Sequence, residues 1–119
     1  MKKIYIVEDD DGIRDVLQVF LQLEEFQVKS FATISEFKRR DLSAHPDLYL
    51  FDVQLPDGLG TDLCQHVKSL PEGKNIPVIM MSAHASTQNI ASVCPADEIM
   101  VKPFDIGVLL EKIRTLLSD

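Results

Sequence analysis

The sequence predicts an α/β domain, doubly wound, with a five-stranded parallel sheet in the order 2-1-3-4-5 and five helices on its two faces. Two observations carry this. Short apolar runs alternate with amphipathic stretches five times along the 119 residues. Two of the runs, Ile4-Tyr5-Ile6-Val7 and Leu48-Tyr49-Leu50-Phe51, end directly in acids, Glu8-Asp9 and Asp52. A carboxylate placed against a buried strand is unfavourable unless it is used. In open α/β sheets the carboxyl ends of the strands are where ligands and chemistry gather.

Each element has its own signal. The strands are expected at 3–7, 26–31, 47–52, 76–81 and 97–101, and the helices at 11–24, 34–42, 59–69, 86–94 and 105–118. In the first helix Ile13, Val16, Leu17, Phe20 and Leu21 recur at helical spacing, and Asp10 or Asp11 caps its start. Thr33 and Glu36 have capping-box spacing at the second helix, where Phe37 faces inward. The third begins near Gly60, buries Leu59, Leu63 and Val67, and stops at Leu70-Pro71-Glu72-Gly73. The fourth, with Ile90 and Val93 among poor helix formers, is expected to be short and loosely held. The last is the clearest: Asp105 caps a stripe of Ile106, Leu109, Leu110, Ile113, Leu116 and Leu117. Strands separated by helices of this length imply right-handed crossovers. The most apolar strands belong in the centre, and the switch point of the order falls between the strands that end in Glu8-Asp9 and Asp52.

Composition bounds the function. The length suits one domain with one core, and 45% of the residues are hydrophobic. No apolar run approaches the ~18 residues of a membrane span, and the short one at the N-terminus breaks into acids, unlike a signal peptide. The expected location is the cytoplasm, with Cys64 and Cys94 read as thiols rather than a disulfide. A net charge of −7 argues against a nucleic-acid groove. Lys38-Arg39-Arg40 reads as a solvated helix end. His45, His66 and His84 read as surface or loop residues, and Asp57-Gly58 as a turn.

The strand ends together bring Glu8, Asp9, Asp52, Ser82 and Lys102 to one edge. Carboxylates about 4 Å apart repel by ~4 kcal/mol at an effective dielectric of ~20. Lys102 offsets part of this. A Mg²⁺ ion, which takes hard oxygen ligands and keeps water, would offset more, with Mn²⁺ as the alternative ion. A carboxylate beside such an ion and an ammonium group is suited to accept a phosphoryl group, since that transfer is mostly positioning and charge neutralisation.

These residues carry a family resemblance over essentially the whole chain. Val7-Glu8-Asp9-Asp10, Asp52-Val53-Gln54-Leu55-Pro56-Asp57-Gly58-Leu59-Gly60, Met81-Ser82-Ala83 and Val101-Lys102-Pro103-Phe104 follow one another as in the response-regulator receiver domains of two-component signalling. The resemblance implies a single flavodoxin-like domain spanning 1–119. It implies that Asp52 is the phosphoacceptor, with catalytic help from Lys102 and Ser82. Asp9 and Asp52 would bind Mg²⁺ directly, with the Gln54 backbone carbonyl as a third ligand and Glu8 acting through water. Ser82, Ala83 and the residue at Ile99 would form the switch, and the Lys102-Pro103 bond would be cis.

The sequence departs from that pattern in three places. Glu8 stands where Asp is usual. Ile99 stands where the family carries an aromatic whose rotamer reports phosphorylation. The spacing from Ser82 to Lys102 is short, which places the deletion in the fourth helix. Phosphorylation is therefore expected to act by reordering 83–95, changing the surface of the fourth helix, fifth strand and fifth helix.

The function expected is a phosphoacceptor switch that catalyses only its own phosphorylation and dephosphorylation. The donor would be a sensor histidine kinase or a histidine phosphotransfer protein, with Arg14 contributing to partner choice, and a second copy of the chain is the other candidate partner. The competing reading is a degenerate receiver acting as a constitutive interaction module. A hydrolase with an aspartate nucleophile would need a further acid–base group and a cap. A flavin site would need a phosphate loop where four acids stand. Residues 1–119 are expected to be either a single-domain regulator or the N-terminal part of a longer one.

Overall fold

The computed structural model describes residues 1–83 and 96–118. Side-chain alternation along the strands decides which layer each helix joins. In β1 (Lys3–Val7), Ile4 and Ile6 face one layer and Tyr5 and Val7 the other. α1 (Asp11–Leu23) packs Leu17 and Leu21 against the Ile4–Ile6 side. After β2 (Gln27–Phe31), α2 (Ile34–Lys38) buries Phe37 on the Tyr5–Val7 side. β3 (Leu48–Asp52) is buried along its whole length and repeats the alternation, with Leu48 and Leu50 on one side and Tyr49 and Phe51 on the other.

Two short strands follow, β4 (Gln54–Leu55) and β5 (Gly58–Leu59), paired antiparallel around Pro56-Asp57. α3 (Gly60–Ser69) places Leu63 and Val67 beside Phe37 and Phe51. β6 (Val78–Ser82) and β7 (Glu98–Val101) complete the sheet, and α4 (Ile106–Leu117) returns to the Ile4–Ile6 side through Leu109 and Ile113. The main sheet runs β2-β1-β3-β6-β7, entirely parallel. That is the predicted order, because β4 and β5 form a separate ladder. The edge strands β2 and β7 are only partly buried, while β1, β3 and β6 form the core.

The α2/α3 layer is aromatic. Phe37 stands edge-on to Phe31, Tyr49 and Phe51 at centroid distances of 5.4, 5.8 and 5.5 Å. Such pairs contribute about 0.5–1.5 kcal/mol each beyond area burial. Arg40 lays its guanidinium 3.9 Å over the Phe37 ring and is half-buried, so it closes this cluster rather than standing in solvent with Lys38 and Arg39.

Local chemistry moves several boundaries. α2 ends at Lys38 rather than residue 42. There the Asp41 carboxylate accepts from the Ser43 amide and hydroxyl, at 2.9 and 2.6 Å, forming a turn that competes with the helix. β6 begins at Val78 rather than residue 76, because Ile76 donates to the Gly73 carbonyl in a turn and Pro77 has no amide to give a ladder. Asp10, not Asp11, caps α1, accepting from the Ile13 amide at 2.9 Å. Leu59 is 47% exposed and Val16 59% exposed, although helical periodicity placed both inward. Leu59 sits at the end of β5, before the helix rotation starts. Val16 lines an open groove between α1 and Pro103–Ile106 instead of a closed core. β1 has the expected bounds, and the remaining expected strands and helices among the described residues differ by a residue at one or both ends. The expected helix at 86–94, with His84 and Cys94, lies outside the described residues. Cys64 is buried on the α3 side. No described helix is long and apolar enough to cross a membrane.

Candidate functional site

Parallel registration aligns the strand ends at one edge of the sheet. Val7 pairs with Phe51, Asp52 with Met81, and Ser82 with Val101. The ladder runs one step beyond the strands, with Glu8, Val53 and Lys102 amides donating to the carbonyls of Phe31, Met81 and Ser82 at 3.0, 2.9 and 2.7 Å. Glu8, Asp52, Ser82 and Lys102 therefore sit at fixed heights above one cavity of about 470 Å³. Asp9, Gln54 and Ala83 also line it. Seven of the residues singled out by sequence converge there. Ile99 does not: it packs beneath, against the aromatic layer, paired with Met80.

Electrostatics in the cavity centres on Lys102. Its ammonium lies 2.5 Å from Glu8 Oε1 and 3.4 Å from Asp52 Oδ1. Glu8 is fully buried, and its other oxygen accepts from the Asp10 amide at 3.2 Å. Asp52 is 6% exposed. Burial, then the charge of Glu8, pushes the Asp52 carboxyl up to about 7, with Lys102 pulling the other way. Burial alone would lower the Lys102 ammonium, but its hydrogen bond to Glu8 and the charges of Asp52 and Glu8 outweigh burial and raise it. One carboxylate oxygen from each of Glu8, Asp9 and Asp52 lies within 4.8 Å of the other two. Three hard oxygen donors around one point, two of them buried, fit a divalent cation of the Mg²⁺ type. Ser82 is buried beside them.

The loop after Asp52 is shaped by two glycines and an aspartate. Gly58 has φ +153°, and a Cβ there would lie 2.9 Å from Ile34 Cδ1. Gly60 approaches β3 so closely that a Cβ would lie 1.9 Å from the Asp52 carbonyl oxygen. Its amide donates to Val53 O at 2.7 Å and closes the loop. The Asp57 carboxylate accepts from the Ile34 and Ser35 amides at 3.0 and 2.9 Å, bonds that lower its pKa and tie the loop to α2. Sequence reasoning read Asp57-Gly58 as a turn and Gly60 as a helix start. It missed the closeness of Gly60 to Asp52, which leaves no local mark in a sequence. Lys102-Pro103 is cis, as expected.

The site and the fold agree with what this chain resembles among known proteins. The sequence matches the response regulator receiver domain family over residues 4–114. It is 29% identical to the phosphate regulon transcriptional regulatory protein PhoB of Rhizobium meliloti, over 98% of this chain and 52% of that protein. It is 32% identical to the KDP operon transcriptional regulatory protein KdpE of Escherichia coli, with the same coverages, 98% and 52%. The chain thus spans about half the length of these curated relatives. Among solved structures, a CheY-like receiver domain protein from Methanospirillum hungatei superposes with a TM-score of 0.89 at 34% identity, covering 98% of this chain and 94% of that one. TrrA from Thermotoga maritima, crystallised in complex with Mg(2+)-BeF, gives 0.85 at 27% identity, covering 98% of this chain and all of that one. With the sheet order, the acid pocket and a family match across nearly the whole chain in agreement, the chain belongs to the response regulator receiver domain family.

Proposed function

We propose that this domain is the phosphoacceptor switch of a two-component phosphorelay, with Asp52 as nucleophile. The observation that carries the reading is the convergence of a buried Asp52, Lys102 at 3.4 Å and the Glu8–Asp9 pair in one cavity. An Asp52 carboxylate oxygen attacks the phosphorus of a phosphohistidine. The P–O bond forms as the P–N bond breaks, and the bond's electron pair leaves on the imidazole nitrogen. Asp9, Asp52 and the Gln54 carbonyl would hold Mg²⁺, or Mn²⁺, with Glu8 reaching it through water. The ion when bound supplies positive charge against the phosphoryl oxygens and favours the ionised form of Asp52. Lys102 pairs with one phosphoryl oxygen and the Ser82 hydroxyl donates to another. The domain catalyses only its own phosphorylation and dephosphorylation. The Gln54 side chain, exposed at the cavity rim, tunes how readily water reaches the aspartyl-phosphate.

Readout runs without an aromatic rotamer, because Ile99 occupies that place. Ser82 and Ala83 moving toward the phosphoryl group would pull β7 through the Lys102 amide to Ser82 carbonyl bond and shift the β7/α4 face. Self-association through that face is the second candidate interaction.

The donor would dock beside α1. An apolar groove of about 850 Å³ runs from the acid cavity between α1 and Pro103–Ile106. Val16, Val19 and Leu23 extend it as an exposed stripe, at 59%, 57% and 77% exposure. An exposed apolar stripe marks an interaction site, and one on a helix suits the apolar face of a partner helix. A sensor histidine kinase or a histidine phosphotransfer protein presents its phosphohistidine on such a helix. This partner places the chain in the cytoplasm, with residues 1–119 acting as one receiver module.

Acetyl phosphate with Mg²⁺, read by intact mass, tests the reading. One phosphoryl group is expected on the wild type, none on Asp52→Asn and none in chelator. An unmodified wild type would instead favour a constitutive interaction module.

A further inference from the structure

We propose that Arg14 is a positioning residue for the metal ligands, setting the backbone that aims the carboxylates of Glu8 and Asp9. The inference rests on the Mg²⁺-dependent reading above and goes beyond it. Between β1 and α1 the chain turns at Glu8-Asp9-Asp10, and the first helical acceptor is the Asp10 carbonyl, bonded by the Arg14 amide at 2.9 Å. The carbonyls of Glu8 and Asp9 precede it, past the end of the strand and outside the helix. Arg14 turns back over them. Its Nη1 donates to Glu8 O at 2.9 Å and to Asp9 O at 3.4 Å, while Nη2 binds the Asp11 carboxylate. The side chain is only 18% exposed and is folded onto the turn.

A guanidinium suits this task because its donors are held in a rigid fork. Partners that orient metal ligands contribute strongly to affinity although they never touch the ion. Arg14 also has an opposing effect. Its positive charge stands near the three acids, and charge alone would weaken cation binding. The two contributions differ in sign, so removing Arg14 separates them.

The experiment is a Mg²⁺ titration of the ¹⁵N-labelled chain followed by backbone amide shifts, on wild type, Arg14→Gln and Arg14→Lys. Thermal midpoints are measured in chelator alongside. Positioning predicts that both variants bind Mg²⁺ about tenfold more weakly than wild type, with the Glu8, Asp9 and Asp10 amides displaced before any ion is added. Lysine keeps the charge but loses the fork, so it does not rescue. If Arg14→Gln binds Mg²⁺ as tightly as wild type or more tightly, or if Arg14→Lys matches wild type, the proposal fails. Should Arg14→Gln not fold, Arg14→Lys alone decides. A wild type that shows no Mg²⁺ response overturns the phosphoacceptor reading itself, and the Arg14 proposal with it.

Discussion

Gly60→Ala tests whether the Asp52 backbone is held by close packing rather than by the strand alone. The added methyl would start 1.9 Å from the Asp52 carbonyl oxygen, 2.9 Å from its carbonyl carbon and 3.2 Å from Met80 Cε. Reaching even 3.0 Å requires the start of α3 or the end of β3 to retreat by about 1 Å. Both are backbone, so neither swings away as a side-chain tip would. The retreat strains or breaks the 2.7 Å bond from Gly60 to Val53 O. Overpacking contributes about 1–3 kcal/mol and the lost bond about 1 kcal/mol, so a loss of about 2–4 kcal/mol is expected by urea unfolding. The same 1 Å displaces Asp52 from Lys102 and the acids, and misplacement of that size lowers rates by about 10²-fold. Acetyl-phosphate labelling of Asp52, timed by intact mass, reads it. Gly12→Ala is the control. Its methyl meets only the Asp10 carboxylate at 3.3 Å, and alanine favours a helix, so stability should change by less than about 1 kcal/mol. A Gly60→Ala chain with wild-type unfolding and labelling would refute the reasoning.

Two further predictions concern charge and backbone strain. Asp52 has a folded pKa of about 7, above the unfolded carboxylate value of about 3.9. Between those pH values the folded state keeps a proton that the unfolded chain has lost, so this group makes stability fall as pH rises. Asp52→Asn should therefore raise the melting temperature at pH 8 in chelator by about 4 °C or more, and the gap should close towards pH 5. Equal melting at pH 8, or an undiminished gap at pH 5, would count against a buried carboxylate whose charge Lys102 only partly offsets. Glu25 terminates α1 with φ 71°, its amide bonded to Gln22 O and the next amide to Leu21 O, each at 3.0 Å. This is a left-handed helix end that glycine adopts without strain. Glu25→Gly should add about 1 kcal/mol in urea unfolding, and a loss of stability would contradict the assignment.

Where the sequence was legible, the signal was local and repeated. Ile4-Tyr5-Ile6-Val7 and Leu48-Tyr49-Leu50-Phe51 are unbroken apolar runs because strands buried on both faces have no polar side. Ile106, Leu109 and Ile113 recur at helical spacing because α4 has one buried face. The acids stood out because they interrupt such runs. The misreadings have non-local causes. Val16 has the right spacing to be core, yet it faces the open groove between α1 and Pro103–Ile106. The grip of Arg14 on the Glu8 and Asp9 carbonyls likewise leaves no local mark in the sequence. Arg40 is one of three consecutive basic residues, and only the position of Phe37 distinguishes it from Lys38 and Arg39.

The sequence by itself determined the fold class, the strand order and the inventory of the acid pocket. Each follows from periodicity and from charges at strand ends, which neighbouring residues reveal. Only the tertiary structure decided which carboxylate Lys102 grips, with Glu8 at 2.5 Å and Asp52 at 3.4 Å. It also decided that Asp52 is aimed by Gly60 from behind and that the Glu8–Asp9 turn is clamped by Arg14. These are distances between groups on different elements. They are set by sheet register and helix packing, and sequence spacing does not encode them.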